Sequence, residues 1–424
     1  MKSLRGKKLL VISSDSNDLI FVQAAKELGA YVVCCDRYTD WNVSPAKKAA
    51  DEAWNIDYSN TEAIAAKCKE IGIDGVIAGY GEDRVTAACR ISKAIGTPFY
   101  ATEEQINITR NKRVFKDLCA RNGVPVPKEF CGSLPLTEDA RREIKYPVIV
   151  KPSDNGGRKG ISVCLSEAEL DEAMKYAEQQ SLNGEIVIEE YVKGTELSAI
   201  YTMVDGEISL SCLNDKYNSE DQGGNSRLCD LVLTPSRNYD LYLKTIDPGI
   251  RKVLTEIGAR NGVANFQMIV GKDGIRVFEM GFRVNGNDDF KVIRKNNGID
   301  FLKMLISYSL TGEMGDDLSK DDPCFKSYNS TLCMYLHSGT VGTVSYDALI
   351  GKEGIDDICI LRQPGTKIVE DGTNRQKALL VKFSASTLSE VVDMIHFIQA
   401  NMKILDTEGN DMTLMPFNTD RLFN

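Results

Sequence analysis

Residues 146–163 read YPVIVKPSDNGGRKGISV and join an apolar strand to a glycine-rich loop. The apolar run VIV predicts a buried strand that ends at Lys151. Gly156, Gly157 and Gly160 follow in the loop, and glycine lets a backbone close over a ligand without a Cβ clash. A lysine and backbone N–H groups suit a polyphosphate, although the spacing is not that of a Walker A loop. The loop is therefore either a phosphate-binding loop or an ordinary structural turn, and the neighbouring stretches help to decide between them.

Two stretches on either side of this hairpin add further charged residues. The upstream one, RNKRVFKDLCARNGVPVPK at 110–128, predicts a helix that carries Lys112 and ends at Gly123, before prolines that cannot continue it. The downstream one, IVIEEYVKGTELSAIYTMVDG at 186–206, predicts a strand whose end is rich in carboxylates. Each stretch alone is compatible with a solvated surface, so the order of the segments carries the interpretation.

A fourth stretch, ANFQMIVGKDGIRVFEMGFR at 264–283, predicts a strand hairpin. Its turn at 271–274 places Gln267 and Glu279 on adjacent strands, where both side chains can face the same side. Mg²⁺ prefers hard oxygen ligands and usually also binds phosphates. The hairpin is therefore a candidate metal site.

In this order the four stretches resemble the ATP-grasp superfamily, which uses Mg-ATP to phosphorylate a carboxylate. The resemblance implies that two lysines contact the nucleotide phosphates, and that the strand end at 189–192 pairs with the adenine edge, largely through backbone groups. It also implies that Glu196, in the pattern E-x-x-x-G-x-E, accepts from the ribose hydroxyls, since a carboxylate can grip a diol. The implied ATP-binding residues are Lys112, Lys151, Gly156, Gly157, Gly160, Glu189, Glu190, Tyr191, Val192 and Glu196.

The resemblance further implies a Mg²⁺ site at Gln267 and Glu279, with Mn²⁺ as an alternative ion. The family motif on the second strand is E-x-N-x-R, whereas this chain reads EMGFR, so Gly281 stands where the motif has asparagine. We expect an extra water on the metal, or Asn285 or Asn287, to compensate. The departure also leaves open a site that binds nucleotide without turnover.

The resemblance places the carboxylate substrate near Arg283, which would stabilise charge on the transferred phosphoryl group as the catalytic residue. Arg227 lies in a polar, glycine-rich stretch that predicts either a capping loop or a featureless surface loop. Glu82 follows an N-terminal strand and would face the same cleft. Glu82, Arg227 and Arg283 are the candidate substrate contacts.

The fold class expected is mixed α/β and α+β, in three parts. Residues 1–106 alternate strands and helices, which predicts a parallel-sheet domain placed before the grasp core. Residues 107–312 predict the grasp core, with a lid subdomain at about 145–205, and residues 325–424 predict a small C-terminal closing domain. The resemblance to the branch that includes carbamoyl-phosphate synthase large subunit, biotin carboxylase and L-amino-acid ligases covers essentially the whole chain.

Composition narrows the partners. The chain has 424 residues and a formal net charge of −10, which argues against non-specific binding to nucleic acid or anionic membranes. Its longest N-terminal apolar run has four residues, Leu9 to Ile12, so neither a signal peptide nor a membrane span is expected. Twelve scattered cysteines fit a reducing cytoplasm, and two histidines argue against a multi-histidine metal site. The expected assembly is a homodimer.

These observations predict an ATP-dependent ligase that activates a small carboxylate as an acyl phosphate for attack by an amine. Two alternatives stay open at this point. One is an enzyme that activates bicarbonate, as in carboxyaminoimidazole synthesis. Biotin carboxylase follows the motif arginine with x-x-V-E, whereas this chain has Gly286 and Asn287 in place of the valine and the glutamate. The resemblance therefore disfavours the chemistry of biotin carboxylase. The other is a nucleotide-binding regulatory protein without turnover.

Overall fold

The computed structural model describes residues 3–15, 17–41, 44–131, 135–154, 160–219, 228–286 and 289–423. The N-terminal part is a parallel sheet whose strand order is β3-β2-β1-β4, with helices between the strands. The elements are β1 (Lys8–Ile12), α1 (Leu19–Glu27), β2 (Tyr31–Asp36), α2 (Pro45–Ala49), β3 (Glu52–Asn55), α3 (Thr61–Ile71), β4 (Gly75–Ile77) and α4 (Glu82–Ile95). The predicted parallel sheet is confirmed.

Two helices lead from this sheet into the rest of the chain: α5 (Glu103–Arg110) and α6 (Lys112–Arg121). Thr102 begins α5 with a capping box that it forms with Gln105. Asn111 begins α6, because its side chain accepts from the amides of the next turn. These caps fix where α6 starts, and the first residue of that helix is Lys112.

A second, antiparallel sheet follows, in the order β5-β8-β6-β7. Its elements are β5 (Glu129–Cys131), α7 (Glu138–Glu143), β6 (Val148–Pro152), β7 (Ser162–Cys164), α8 (Leu170–Gln180) and β8 (Ile186–Glu190). Helix α8 covers one face and forms a small separate core with the strands. We call residues 129–190 the lid sheet.

The largest sheet has eight strands in the order β13-β12-β9-β10-β11-β14-β18-β16. We call it the core sheet. Its strands are β9 (Thr195–Val204), β10 (Glu207–Asn218), β11 (Cys229–Thr234), β12 (Gly262–Gly271), β13 (Gly274–Gly281), β14 (Tyr328–Tyr335), β16 (Ile355–Ile360) and β18 (Lys377–Ala385). The helices around it are α9 (Tyr239–Thr245), α10 (Asp247–Glu256), α11 (Asp289–Asn297), α12 (Phe301–Thr311) and α13 (Leu388–Asn401).

A three-stranded sheet in the order β17-β15-β19 completes the chain, formed by β15 (Gly339–Ser345), β17 (Lys367–Ile368) and β19 (Lys403–Asp406). The expected C-terminal domain thus contributes three strands, β14, β16 and β18, to the core sheet. Strand β9, which falls inside the expected lid at 145–205, also belongs to the core sheet. The domain boundaries themselves stay a prediction.

The N-terminal sheet packs tightly on the core sheet. One continuous apolar cluster runs from Leu4 to Phe325 and includes residues of both. Helix α12 lies against β4, where a Cβ on Gly75 would come within 2.2 Å of the Ser309 carbonyl oxygen. This close packing brings the carboxyl end of β4 next to the end of β13.

Candidate active site

Lys112 begins the site at the first turn of α6. Its backbone amide donates to the Ser153 carbonyl at 3.2 Å, which joins the helix to the end of β6. The side chain is only 8% exposed. Burial lowers the pKa of Lys112, the charge of Lys151 lowers it further, and Glu279 and Glu189 oppose the change. The charged form of Lys112 is disfavoured here, and a bound anion would stabilise it.

Lys151 and Lys116 share one buried carboxylate, that of Glu189. Lys116 Nζ lies 2.9 Å from Glu189 Oε2 and 2.6 Å from Glu129 Oε2, and Lys151 pairs with the other oxygen of Glu189. Burial alone would raise the pKa of Glu189, but its ion pairs with Lys151 and Lys116 outweigh burial and hold that pKa below its usual value. The three groups form a fixed, desolvated network.

Lys116 is a site residue that the sequence analysis missed. A signal for it exists, because Lys116 lies on the apolar face of α6 with Phe115 and Cys119, and all three are buried. A lysine on a buried helix face needs a counterion or a ligand. Three buried lysines, 112, 116 and 151, lie around the fully buried Glu189, so this part of the site concentrates desolvated ammonium groups.

The strand end after β8 is held by backbone contacts to neighbouring loops. The Glu190 amide donates to the Lys128 carbonyl at 2.9 Å, and the Tyr191 amide donates to the Pro147 carbonyl at 3.1 Å. Val192 packs next to Gly271, where an added Cβ would come within 2.7 Å of it. These contacts bring the lid sheet against the hairpin of β12 and β13.

For the remaining predicted nucleotide contacts, the structure gives a position for Glu196 and Gly160 only. Glu196 lies on β9, half-buried, between Lys216 of β10 and Ile269 of β12. Gly160 has a positive φ of 76° and lies against Pro152. Gly156 and Gly157 lie outside the described residues. Roles for all of these positions in ATP binding stay predictions.

The candidate metal ligands lie side by side. Gln267 and Glu279 are direct cross-strand partners on β12 and β13, and both are half-buried. Among the described residues no cluster of three or more His, Cys, Asp or Glu side chains could hold a metal alone. Two oxygen-bearing side chains next to buried lysines fit Mg²⁺, because that ion usually takes one or two protein ligands plus phosphates and waters.

Arg283 and Glu82, both predicted substrate contacts, meet each other. Arg283 Nε lies 2.7 Å and Nη2 2.5 Å from Glu82 Oε1. Glu82 begins α4 of the N-terminal sheet and Arg283 follows β13, so the ion pair spans the cleft between them. Arg227, the third predicted contact, lies outside the described residues.

The structure gives Gly281 a specific neighbour. Gly281 pairs across the strands with Asn265, whose side chain fills the space beside it. The backbone at Gly281 is not left-handed, so the glycine is not required by a positive φ. Of the compensating residues expected, Asn285 donates to Asp289 at 2.5 Å, and Asn287 lies outside the described residues.

A separate cavity of about 300 Å³ lies between the ends of β10 and β14 and the C-terminal tail. Phe417 and Arg421 line it, together with Cys333 and Tyr335. Of the predicted site residues that the structure describes, none contributes to its wall, and the cavity is therefore treated apart from the candidate active site.

The arrangement defines a class of protein. Buried lysines, a cross-strand pair of oxygen-bearing side chains and an arginine lie where the lid sheet meets the core sheet. A family model described as "D-ala D-ala ligase C-terminus" matches residues 128–214, which cover the lid sheet, β9 and most of β10. Residues 128–214 thus match an ATP-grasp family, which confirms the resemblance that the sequence stretches predicted.

Individual known proteins agree with this assignment. The chain is 28% identical over 214 residues to the formate-dependent phosphoribosylglycinamide formyltransferase of Bacteroides fragilis, an alignment that covers 50% of this chain and 52% of that relative. The chain therefore spans about half the length of this relative.

Two solved structures share the fold. The L-amino acid ligase from Bacillus licheniformis has a TM-score of 0.79 at 17% identity, over 95% of this chain and 99% of that one. The biotin carboxylase domain dimer of Hydrogenobacter thermophilus 2-oxoglutarate carboxylase, in complex with MgADP, ADP and bicarbonate, has a TM-score of 0.77 at 21% identity, over 94% and 90%. The expected mixed α/β fold is confirmed.

Proposed function

We propose that the chain is an ATP-dependent ligase that joins a carboxylate to an amine. A carboxylate oxygen attacks the γ-phosphorus of ATP, the bond to the β,γ-bridging oxygen breaks, and ADP leaves. The amine nitrogen then attacks the acyl carbon of the acyl phosphate. Inorganic phosphate leaves with the former carboxylate oxygen, and the amine loses a proton.

The observation that carries this proposal is the group of three buried lysines beside an arginine that binds a carboxylate. Lys112, Lys116 and Lys151 are desolvated with one fully buried counterion, Glu189. Attraction to a polyphosphate is stronger in such a site than in water. Arg283 is already bound to a carboxylate, that of Glu82. The same guanidinium can donate hydrogen bonds to the carboxylate of a substrate or to the transferred phosphoryl group.

Each residue then has a defined task. Lys112 and Lys151 bind the phosphates, and Lys116 neutralises Glu189 so that Lys151 can turn to the nucleotide. Gln267 and Glu279 would hold Mg²⁺, which would neutralise charge on the nucleotide phosphates when bound. Arg283 stabilises charge at the phosphoryl group. The protein contributes positioning and electrostatics and no covalent nucleophile.

Bicarbonate activation is the second candidate function. It is supported by one observation, the bicarbonate in the 2-oxoglutarate carboxylase structure that shares this fold. The non-catalytic alternative was motivated by Gly281. The packing of Asn265 into the same space supplies a different reason for that glycine, and we therefore favour turnover.

The test is release of ADP as a function of the added acid. Amino acids, hydroxy acids and bicarbonate are supplied one at a time, each with a panel of amines. For an acid that stimulates ADP release, the carboxylate is labelled with ¹⁸O. We expect the label in the inorganic phosphate, because the carboxylate oxygen that attacked the γ-phosphorus leaves with the phosphate. Stimulation by bicarbonate alone would select the second candidate. Nucleotide binding without stimulation by any acid would select the non-catalytic protein.

The remaining expectations are part of the same proposal. Partners are small-molecule carboxylates and amines, the ions are Mg²⁺ or Mn²⁺, the compartment is the cytoplasm, and the assembly is a homodimer. Within the described part of the chain, every helix is too short or too polar to span a lipid bilayer. Light scattering after size-exclusion chromatography tests the dimer, and a monomer mass would contradict it.

A further inference from the structure

Three successive carbonyls at the end of β13 are held by side chains from outside that strand. Asn265 Nδ2 donates to the Gly281 carbonyl at 3.1 Å and to the Arg283 carbonyl at 3.0 Å. The hydroxyl of Tyr100 donates to the Phe282 carbonyl at 3.1 Å. We call Asn265 and Tyr100 the carbonyl clamp.

Both clamp residues are themselves rigid. Asn265 is 4% exposed and Tyr100 is 7% exposed. The Tyr100 ring also packs edge-to-face on Phe282, with ring centroids 5.4 Å apart. Asn265 belongs to β12, whereas Tyr100 follows α4 in the N-terminal part. The backbone that carries Arg283 is therefore fixed from two different parts of the fold.

The clamp also accounts for the missing motif asparagine. A Cβ on Gly281 would lie 2.9 Å from Asn265 Nδ2, closer than real Cβ contacts allow. The amide of Asn265 cannot easily retreat, because two hydrogen bonds to carbonyls hold it. Positions 265 and 281 face each other across the strands, so the pair has room for one amide side chain.

We propose that Asn265 and Tyr100 are positioning residues for Arg283, and that position 281 is glycine because Asn265 has taken its space. As far as it concerns turnover, this inference rests on the proposed function. Asn265 and Tyr100 act through the backbone of residues 281–283, which sets where the guanidinium points. A displacement of about 1 Å at a reacting group can cost on the order of 100-fold in rate.

The first experiment removes the clamp in two ways. Tyr100→Phe deletes one hydroxyl and keeps the ring contact, and Asn265→Ala deletes the amide. The matched control is Asn261→Ala, which removes a buried asparagine near the start of β12 that accepts from the Asp205 amide at 2.9 Å, away from the site. We measure kcat, KM for ATP, the melting temperature, and the affinities for ADP and for a non-hydrolysable ATP analogue.

We expect kcat to fall about 10- to 100-fold in both clamp variants, with ADP affinity within about threefold of wild type. The preference for the ATP analogue over ADP should shrink as well, because Arg283 then no longer meets the γ-phosphate correctly. Asn261→Ala should melt earlier and keep both kcat and that preference. Wild-type kcat in a folded Asn265→Ala protein would overturn the inference.

The second experiment exchanges the two positions. Gly281→Asn alone should lower the melting temperature and turnover, since two amides compete for one space. Asn265→Gly combined with Gly281→Asn should recover melting temperature relative to Gly281→Asn, a non-additive result typical of contacting residues. A single Gly281→Asn variant that is as stable and active as wild type would refute the shared space.

These measurements separate failure of this inference from failure of the proposed function. If no acid stimulates ADP release in the wild type, the ligase proposal fails, and the analogue preference still decides whether the clamp directs Arg283. If no nucleotide binds, the melting temperatures of the exchange variants still decide whether positions 265 and 281 share one space.

Discussion

Lys151 has one partner in the structure, Glu189, and under the proposed function a second one, the phosphate of a bound nucleotide. Without a ligand it pairs with Glu189, which also binds Lys116. A polyphosphate offers more negative charge than one carboxylate shared by two lysines. We therefore regard the Lys151–Glu189 pair as the resting state of a residue that moves to the phosphate.

Lys151→Ala should weaken nucleotide binding and abolish measurable turnover. A charge-assisted contact between a buried lysine and phosphate is worth about 2–4 kcal/mol, on the order of a 30- to 1000-fold loss of affinity. The exposed Lys145 precedes the same strand, so Lys145→Ala is the matched control. Calorimetric titration with MgADP measures the effect, and equal affinities in the two variants would remove Lys151 from the site.

Glu279→Gln should cut turnover about 100-fold or more while leaving the fold intact. The replacement has nearly the same shape but removes the one negative charge of the Gln267–Glu279 pair, and a neutral amide binds Mg²⁺ more weakly than a carboxylate. The melting temperature without nucleotide should barely move, because Glu279 is half-buried and faces the site. Titration of activity with Mg²⁺ is the measurement. An unchanged rate and an unchanged Mg²⁺ dependence would show that the metal binds elsewhere.

Asp18 predicts a pH dependence of stability in the N-terminal part. Burial, followed by the charge of Asp15, raises the pKa of Asp18 to about 7, although Ser13 and Arg84 oppose the change. Between about pH 4 and pH 7 the folded state holds a proton that the unfolded state has released, so this group makes stability fall as pH rises through that window. The carboxylate therefore destabilises the fold at pH 8.

Asp18→Asn should remove this effect, because the amide cannot ionise. The variant should gain melting temperature at pH 8 and show little change at pH 4. The much more exposed Asp83 of α4, which does not contribute to the Asp18 shift, provides the control as Asp83→Asn. Equal melting curves for wild type and Asp18→Asn across pH 4–8 would mean that Asp18 stays ionised in the fold.

At the scale of elements, α6 shows what the sequence could and could not reveal. The pattern around Gly123 and the prolines predicted a helix, and the structure has one at Lys112–Arg121. The lysine at the helix start was found through its resemblance to a family motif. Lys116 was missed because its counterions come from β5 and β8, which are distant in sequence.

The hairpin of β12 and β13 shows the same limit. Counted back from its turn, a regular register would pair Gln267 with Phe278, but a bulge between Gln267 and Met268 brings Gln267 opposite Glu279. The sequence placed both residues on the hairpin, but the turn residues alone do not give this pairing. The clamp could not be predicted either, because Tyr100 is 182 residues away from its acceptor, and nothing local marks that contact. Long-range contacts made by a single side chain leave no periodic pattern in a sequence.

Helix α6 yields a prediction of its own. Lys116→Met keeps the apolar stem and leaves Lys151 as the remaining lysine partner of the buried Glu189. Lys151 should then stay with the carboxylate, and MgADP affinity should fall about tenfold, corresponding to about 1.4 kcal/mol. The double variant Lys116→Met with Glu189→Gln should regain much of this loss. If Lys116→Met binds MgADP with wild-type affinity, the charge of Lys116 does not affect nucleotide binding.

At the scale of the whole molecule, the core sheet joins the middle and the end of the chain. Strand β14 pairs with β11 on one side and with β18 on the other. Leu231 and Leu233 of β11 pack in one apolar cluster with Leu332 and Phe383. The last hundred residues of the chain are therefore part of the same folded unit as the core sheet.

A chain shortened to residues 1–324 should not fold to a soluble state. The truncation removes three strands of the core sheet and exposes the edge of β11 and its leucines. Soluble yield and the cooperativity of thermal melting are the measurements, and co-expression of residues 325–424 should restore some soluble protein. A stable, cooperatively melting 1–324 fragment would show that the C-terminal part folds independently.

The shared space at positions 265 and 281 changes how sequences of this kind should be compared. A linear motif search scores the glycine at 281 as a loss and ignores the asparagine at 265, because the two positions lie sixteen residues apart. They face each other across two strands, so the two positions should be read as a pair. We expect chains with glycine in this motif to carry a bulky polar residue at the facing position, which a search restricted to the motif would overlook.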